Sequence, residues 1–144
     1  MVFAQGDEFE AVMKESFNKG LTVKLVITGN SMEPFFKEHI DTAVITKYKN
    51  DGKVGDILLF KRPNGRLVLH RVLAVNNDGV IFKGDNQSFT EGPFSQEQIL
   101  AKCICRVRNA KITDENSPRW KFFKAYGKSK LLKNAVSVLH RIIK

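Results

Sequence analysis

The sequence predicts a mainly β protein: a small antiparallel β-domain with an N-terminal helix and a C-terminal amphipathic helix. Three observations support this prediction. The middle of the chain alternates short β-type runs with turn residues, whereas both ends carry apolar residues at helical spacing. A chain of 144 residues with 42% hydrophobic and 27% charged residues can form one ordinary core.

Residues 7–18 predict the N-terminal helix. Their apolar side chains recur every three or four residues, at Phe9, Val12, Met13 and Phe17. Asn-Lys-Gly then supplies a helix stop. We assign residues 1–20 to this helical segment.

Residues 21–112 predict the β-domain. Pro-Asn-Gly at residues 63–65 is typical of a hairpin turn, and Asn-Asn-Asp-Gly at residues 76–79 predicts another. Residues 86–98 are polar and predict a loop. The predicted strands are 21–28, 41–47, 57–61, 66–75, 80–83 and 99–108.

Residues 113–144 predict a basic amphipathic tail. The formal net charge is +9, and residues 111–144 carry 9 Lys/Arg against 2 Asp/Glu, which is +7 of it. Two alternatives stay open: residues 119–144 contact an anionic membrane surface peripherally, or their apolar stripe packs on the β-domain or on a second copy. Nucleic-acid binding is not expected because no helix-turn-helix precedes the tail, and the oligomeric state is open. The stripe consists of Leu131, Leu132, Ala135, Val136, Leu139, Ile142 and Ile143.

Bulk features predict a cytoplasmic chain, with a peripheral membrane location as the variant. No run of about 18 apolar residues is present, and the first residues lack the features of a signal peptide. Cys103 and Cys105 lie two apart in a strand-like run, where a mutual disulfide would be strained, so we expect reduced thiols. No His or Cys pair lies at the spacing of a metal site.

Three places could carry chemistry. Residues 29–34 deliver Ser31 to a turn after a strand, His70 lies among valines and leucines, and Asp85 follows the next apolar run. An imidazole in apolar surroundings suits a general base, and a carboxylate beside it could fix its tautomer. Taken singly, each place also fits a simpler interpretation: a polar turn, a core histidine or a loop aspartate.

In combination, these places resemble the ordered boxes of type I signal peptidases, whose fold is shared with the self-cleaving LexA-like repressors. The boxes are Gly-Asn-Ser-Met-Glu-Pro at 29–34, Val-Gly-Asp-Ile-Leu-Leu-Phe at 54–60, Leu-His-Arg-Val at 69–72 and Phe-Lys-Gly-Asp-Asn at 82–86. The resemblance covers roughly residues 22–108. It is strongest to the archaeal and endoplasmic-reticulum branch, in which a histidine is the base.

The resemblance implies Ser31 as nucleophile, His70 as general base and Asp85 as the supporting acid. It also implies a second acid six residues after Asp85, where Glu91 stands with a longer side chain. The Ser31 backbone N–H would be one oxyanion donor, and no cofactor or metal is implied.

The turn around the serine departs from the family in one respect. Many relatives carry a serine two residues before the nucleophile, where this chain has Gly29. The second oxyanion donor would then be a backbone amide or the Asn30 side chain. Met32 would pin the turn.

The implied function is that of a serine endopeptidase acting on a peptide or protein. Because the membrane anchor of signal peptidases has no counterpart here, a cytoplasmic substrate is expected. Two alternatives remain on the same fold: a non-catalytic binder of extended peptides, or a self-cleaving repressor-like regulator. The roughly 20 residues before the first strand argue against the regulator, because they are too few for a DNA-binding domain.

Overall fold

The computed structural model describes residues 7–126. These residues form eight strands and two α-helices, with a 3₁₀ turn at Gln96–Gln98. In chain order the elements are α1 (Asp7–Asn18), β1 (Val23–Val26), β2 (Thr42–Lys47), β3 (Ile57–Lys61), β4 (Leu67–Asn76), β5 (Gly79–Lys83), β6 (Glu91–Phe94), β7 (Ile99–Arg108), β8 (Lys111–Asp114) and α2 (Pro118–Tyr126).

The strands form one antiparallel sheet in the order β1-β2-β7-β3-β4-β5-β6, with β8 paired to β7. β3, β4, β5 and β6 follow one another as neighbours, whereas β7 returns to lie between β2 and β3. The prediction of a mainly β protein with a helix toward each end is therefore confirmed. No helix in the described part of the chain is long and apolar enough to cross a bilayer.

Strand alternation divides the apolar side chains between two cores. In β3, Ile57 and Leu59 face the first core, whereas Leu58 and Phe60 face the second. Side chains of both helices, including Met13 of α1 and Trp120 of α2, pack in the first core. The second core consists of Tyr48, Leu58, Phe60, Val72, Val80, Phe82, Phe94 and Ile99, with Val68 packed against it.

The side chains of neighbouring residues in β4 consequently lie on opposite faces of the sheet. His70 is paired with Leu58 and approaches the Phe60 ring, with ring centroids 5.9 Å apart on the side of the second core. Arg71 is paired with Ile57 and lies over the Phe35 ring of the first core, with its guanidinium carbon 5.5 Å from the ring centroid. The side chains at these two positions therefore meet different partners.

Residues 86–98 were predicted as a loop, and this prediction is wrong in part. They contain β6, which pairs with β5 at the edge of the sheet. Gly92-Pro93 reads as a strand breaker in the sequence, but an edge strand tolerates proline because one of its sides needs no ladder donors. The edge position of β6 thus reconciles its composition with its structure.

The chain beyond β7 also differs in detail from the prediction. β8 was not predicted, and the proposed division at residue 112 falls inside it. Of the predicted tail, α2 is described, with Trp120 and Tyr126 buried. The apolar stripe between Leu131 and Ile143 lies outside the described residues.

Candidate active site

Ser31 and His70 are in direct contact. The Ser31 Oγ lies 2.9 Å from Nε2 of His70, which is the distance of a hydrogen bond. His70 comes from β4 and is 1% exposed, whereas Ser31 lies in the turn after β1 and is half-buried. The hydroxyl therefore faces a desolvated imidazole without being sealed from solvent.

Residues of the serine turn (29–34) themselves hold its conformation. Gly29 has φ +80°, a left-handed conformation that favours glycine, and its N–H donates to the Glu38 carboxylate. Met32 is buried in the first core, and its Sδ accepts the Asp85 N–H at 3.5 Å. Met32 therefore joins the turn both to the core and to the segment after β5.

The turn after β5 also holds the serine turn, through hydrogen bonds from Asn86. The backbone N–H of Asn86 donates to the Ser31 carbonyl at 2.9 Å, and the Asn86 amide donates to the Asn30 carbonyl at 3.1 Å. The Asn30 side chain is exposed next to Ser31 in the chain. Two separate stretches of sequence are thereby joined into one site.

Gly84 allows this close approach. A Cβ at position 84 would lie 2.6 Å from the Ser31 carbonyl oxygen and 2.8 Å from Oε1 of Gln87. We expect Gly84→Ala to reduce the free energy of unfolding by about 1–3 kcal/mol, because the serine backbone must shift. Urea unfolding measures the loss. Gly84→Ala combined with Gln87→Ala should remain destabilised relative to Gln87→Ala alone. Full recovery in the double variant would place the clash at Gln87 instead.

Glu91 is the carboxylate that faces the imidazole. Its Oε1 lies 3.6 Å from Nδ1 of His70, and Nδ1 has no hydrogen-bond partner among the described residues. Arg62 binds both oxygens of Glu91, at 2.6 Å and 2.8 Å. Hydrogen bonds from Arg62 hold the pKa of Glu91 below its usual value. Ser31, His70 and Glu91 thus lie in a row. The distance between Nδ1 of His70 and Oε1 of Glu91 is longer than a hydrogen bond.

Asp85 is directed to a different partner. Its two oxygens accept hydrogen bonds from Nε and Nη2 of Arg71 at 2.7 Å and 2.8 Å, and Arg71 also donates to the Gly55 carbonyl. Both charged side chains are buried. Of the two acids in the sequence analysis, Glu91 therefore faces His70, whereas Asp85 joins β4 to the turn after β5.

Arg62 is the site residue that the sequence analysis missed. It follows β3 directly, and its partner Glu91 begins β6. Because the segment containing Glu91 was predicted as a loop, no register could place the two side chains together. The sequence offered only an arginine after one strand and a glutamate in a stretch predicted as a loop, which is not enough to pair them.

The surroundings of His70 favour its neutral form. Burial lowers its pKa from 6.5 to about 4, the Arg62 charge acts in the same direction, and the Glu91 charge opposes both. A carboxylate on the Nδ1 side favours the tautomer with the proton on Nδ1. The lone pair of Nε2 then points at the Ser31 hydroxyl.

This environment predicts a pH dependence of stability. As pH falls from 6.5 toward about 4, the unfolded chain gains a proton on His70 before the folded chain does, so the free energy of unfolding decreases. We expect His70→Gln to remove up to about 1 kcal/mol per pH unit from this slope. Urea unfolding between pH 4 and 7 measures both slopes, and identical slopes would contradict the depressed pKa.

One backbone donor of the serine turn is unpaired within the described part of the chain. The Ser31 N–H has no hydrogen bond to any described residue. Within residues 7–126 no group of three or more His, Cys, Asp or Glu side chains could hold a metal ion.

Comparisons with known proteins add no assignment. No protein-family model matches the chain, and no curated protein matches it significantly.

Proposed function

We propose that this protein is a serine endopeptidase resembling signal peptidase I, with Ser31 as nucleophile and His70 as general base. The observation that supports the proposal most directly is the 2.9 Å contact between Ser31 Oγ and Nε2 of His70. Hydrogen-bonded contact between a hydroxyl and a base is the arrangement that serine hydrolysis requires.

The reaction follows from the two side chains. Ser31 Oγ attacks the carbonyl carbon of the scissile peptide bond while its proton passes to Nε2 of His70. In this proposal the Ser31 N–H stabilises the oxyanion, and the second donor is a backbone amide or the exposed Asn30 side chain. The imidazolium then returns its proton to the leaving amine, and water hydrolyses the acyl-enzyme by the same proton transfers in reverse order.

Glu91 supports the charged imidazole. A carboxylate on the Nδ1 side stabilises the imidazolium that forms during attack, and Glu91 stands there. Asp85, paired with Arg71, contributes by holding Met32 and the serine turn through its own backbone.

A non-catalytic peptide binder is the alternative in a different class of function. Binding an extended peptide requires an open strand edge but no contact between a hydroxyl and an imidazole. The contact observed here favours catalysis, because the buried imidazole of His70 is hydrogen-bonded to a serine that is only half-buried.

A peptide-library digestion tests the proposal. The purified chain and its Ser31→Ala variant are incubated with a pooled synthetic library and, separately, alone, and all products are read by mass spectrometry. Cleavage of library peptides by the unaltered chain only is the expected result. Shortening of the unaltered chain itself would instead support the self-cleaving regulator, and equal cleavage by both proteins would refute Ser31 as nucleophile.

A further inference from the structure

Arg62 forms an unusually complete contact with Glu91 at the back of the imidazole. The Nε–H of Arg62 donates to one carboxylate oxygen at 2.8 Å, and Nη2 donates to the other at 2.6 Å. A planar guanidinium that binds both oxygens fixes the orientation of the carboxylate as well as its position. Glu91 therefore has little freedom to turn toward His70.

The consequence is a gap on the Nδ1 side of His70. Oε1 of Glu91 lies 3.6 Å from Nδ1, whereas a hydrogen bond between nitrogen and oxygen needs about 2.7–3.2 Å. Nδ1 is buried and finds no other partner within the described chain. A shift of roughly half an ångström would close the gap. The same oxygen, however, is the one that Nη2 of Arg62 holds.

We propose that Arg62 is a positioning residue that holds Glu91 just short of Nδ1, so that the carboxylate completes its bond only when His70 becomes positively charged. A neutral imidazole competes weakly for an oxygen already bound by a guanidinium, and an imidazolium competes strongly. The bond between Glu91 and Nδ1 would thus form in the transition state and not in the resting state. An interaction made only in the transition state raises the rate. This catalytic consequence rests on the proposed function.

The charged groups around His70 are few enough for a clean test. Among the described residues, Glu91 from β6 and Arg62 after β3 are the charged side chains whose fields act on the imidazole. His70 also contacts the neutral Ser31 hydroxyl and the Phe60 ring of β3. A change at Arg62 can therefore reach His70 in two ways, through its own charge or through Glu91.

A double-variant cycle separates these two routes. The pKa of His70 is measured by NMR titration in the unaltered chain, Arg62→Met, Glu91→Gln and the double variant, with His70→Gln used to assign the signal. We expect Arg62→Met to raise the pKa by about one unit or more, because the freed carboxylate can bond Nδ1. The rise should be clearly smaller when Glu91 is already Gln.

Two further variants serve as controls, one for the loss of a positive charge and one for the loss of the two-pronged contact. Arg66→Met removes an equal charge from an exposed position of the same hairpin and should leave the pKa of His70 unchanged. Arg62→Lys keeps the charge but loses the two-pronged contact, so it should give an intermediate pKa. If Arg62→Met does not fold, the Lys variant still decides the question, because an unchanged pKa there would overturn the proposal.

The outcomes of the cycle are distinct from those of the peptidase assay. If Arg62→Met raises the pKa of His70 equally with and without Glu91→Gln, Arg62 acts by its charge alone. That result would overturn the proposal. No rise in either background would overturn it as well. If the library digestion shows no cleavage, the proposed function fails while the NMR cycle still judges the positioning role. If cleavage is found, the acidic limb of kcat/KM should move upward in Arg62→Met together with the pKa.

Discussion

Replacing Ser31 with Ala is expected to lower kcat/KM for peptide cleavage by about 10⁴-fold or more. In the proposed mechanism the substitution removes the attacking atom, Ser31 Oγ, which lies 2.9 Å from Nε2 of His70. The fold should persist, because the Ser31 contacts that hold the turn are made by its backbone carbonyl, which Ala retains. Initial rates on a peptide found in the library digestion measure the loss, and urea unfolding checks the fold.

His70→Gln should cause a loss of similar size, and the double variant should lose little more than either single variant. Residues that act as one unit are strongly non-additive, because removing either partner already abolishes the shared step. Ser88→Ala and His39→Gln supply controls, since both side chains are exposed. A double variant whose loss equals the product of the two single losses would argue that Ser31 and His70 act independently.

Replacing Arg71 with Met is expected to reduce the free energy of unfolding by about 3–5 kcal/mol. The change leaves the Asp85 carboxylate buried without the two hydrogen bonds that now neutralise it. Asp85→Asn should be strongly destabilising for the reciprocal reason. Urea unfolding at neutral pH measures both losses.

Arg71→Met combined with Asp85→Leu should recover much of the lost stability, because two apolar side chains leave no uncompensated charge. Lys14→Met serves as a comparison, since it breaks the exposed pair with Glu10 and should change stability by less than about 0.5 kcal/mol. A loss at Arg71 as small as the loss at Lys14 would mean that the buried pair is not a main contributor to stability.

The sequence predicted those elements whose boundaries carry strong local signals. Helix α1 and strands β3 and β7 begin and end at the predicted residues, because helical periodicity, a Pro-Asn-Gly turn and an uninterrupted β-type run each leave little choice. The pairing of Ser31 with His70 was predicted from the order of the boxes. Its contact distance required the structure.

The roles of the two acids could not be predicted in the same way. Which carboxylate reaches His70 depends on which face of β4 each one meets, and that depends on the bulge between β4 and β5 and on the existence of β6. Asp85 meets the face of Arg71, and Glu91 meets the face of His70. No local pattern in residues 84–91 carries this information.

The alternation of His70 and Arg71 along β4 makes the candidate site sensitive to the turn between β3 and β4, which also hydrogen-bonds the backbone of Arg62. The hairpin between β3 and β4 sets Leu58 opposite His70 and Ile57 opposite Arg71. A slip of one residue would exchange the faces, presenting a permanently charged guanidinium to Ser31 and moving the imidazole to the opposite side of the sheet. The register set at the Asn64-Gly65 turn therefore decides which of the two side chains faces Ser31.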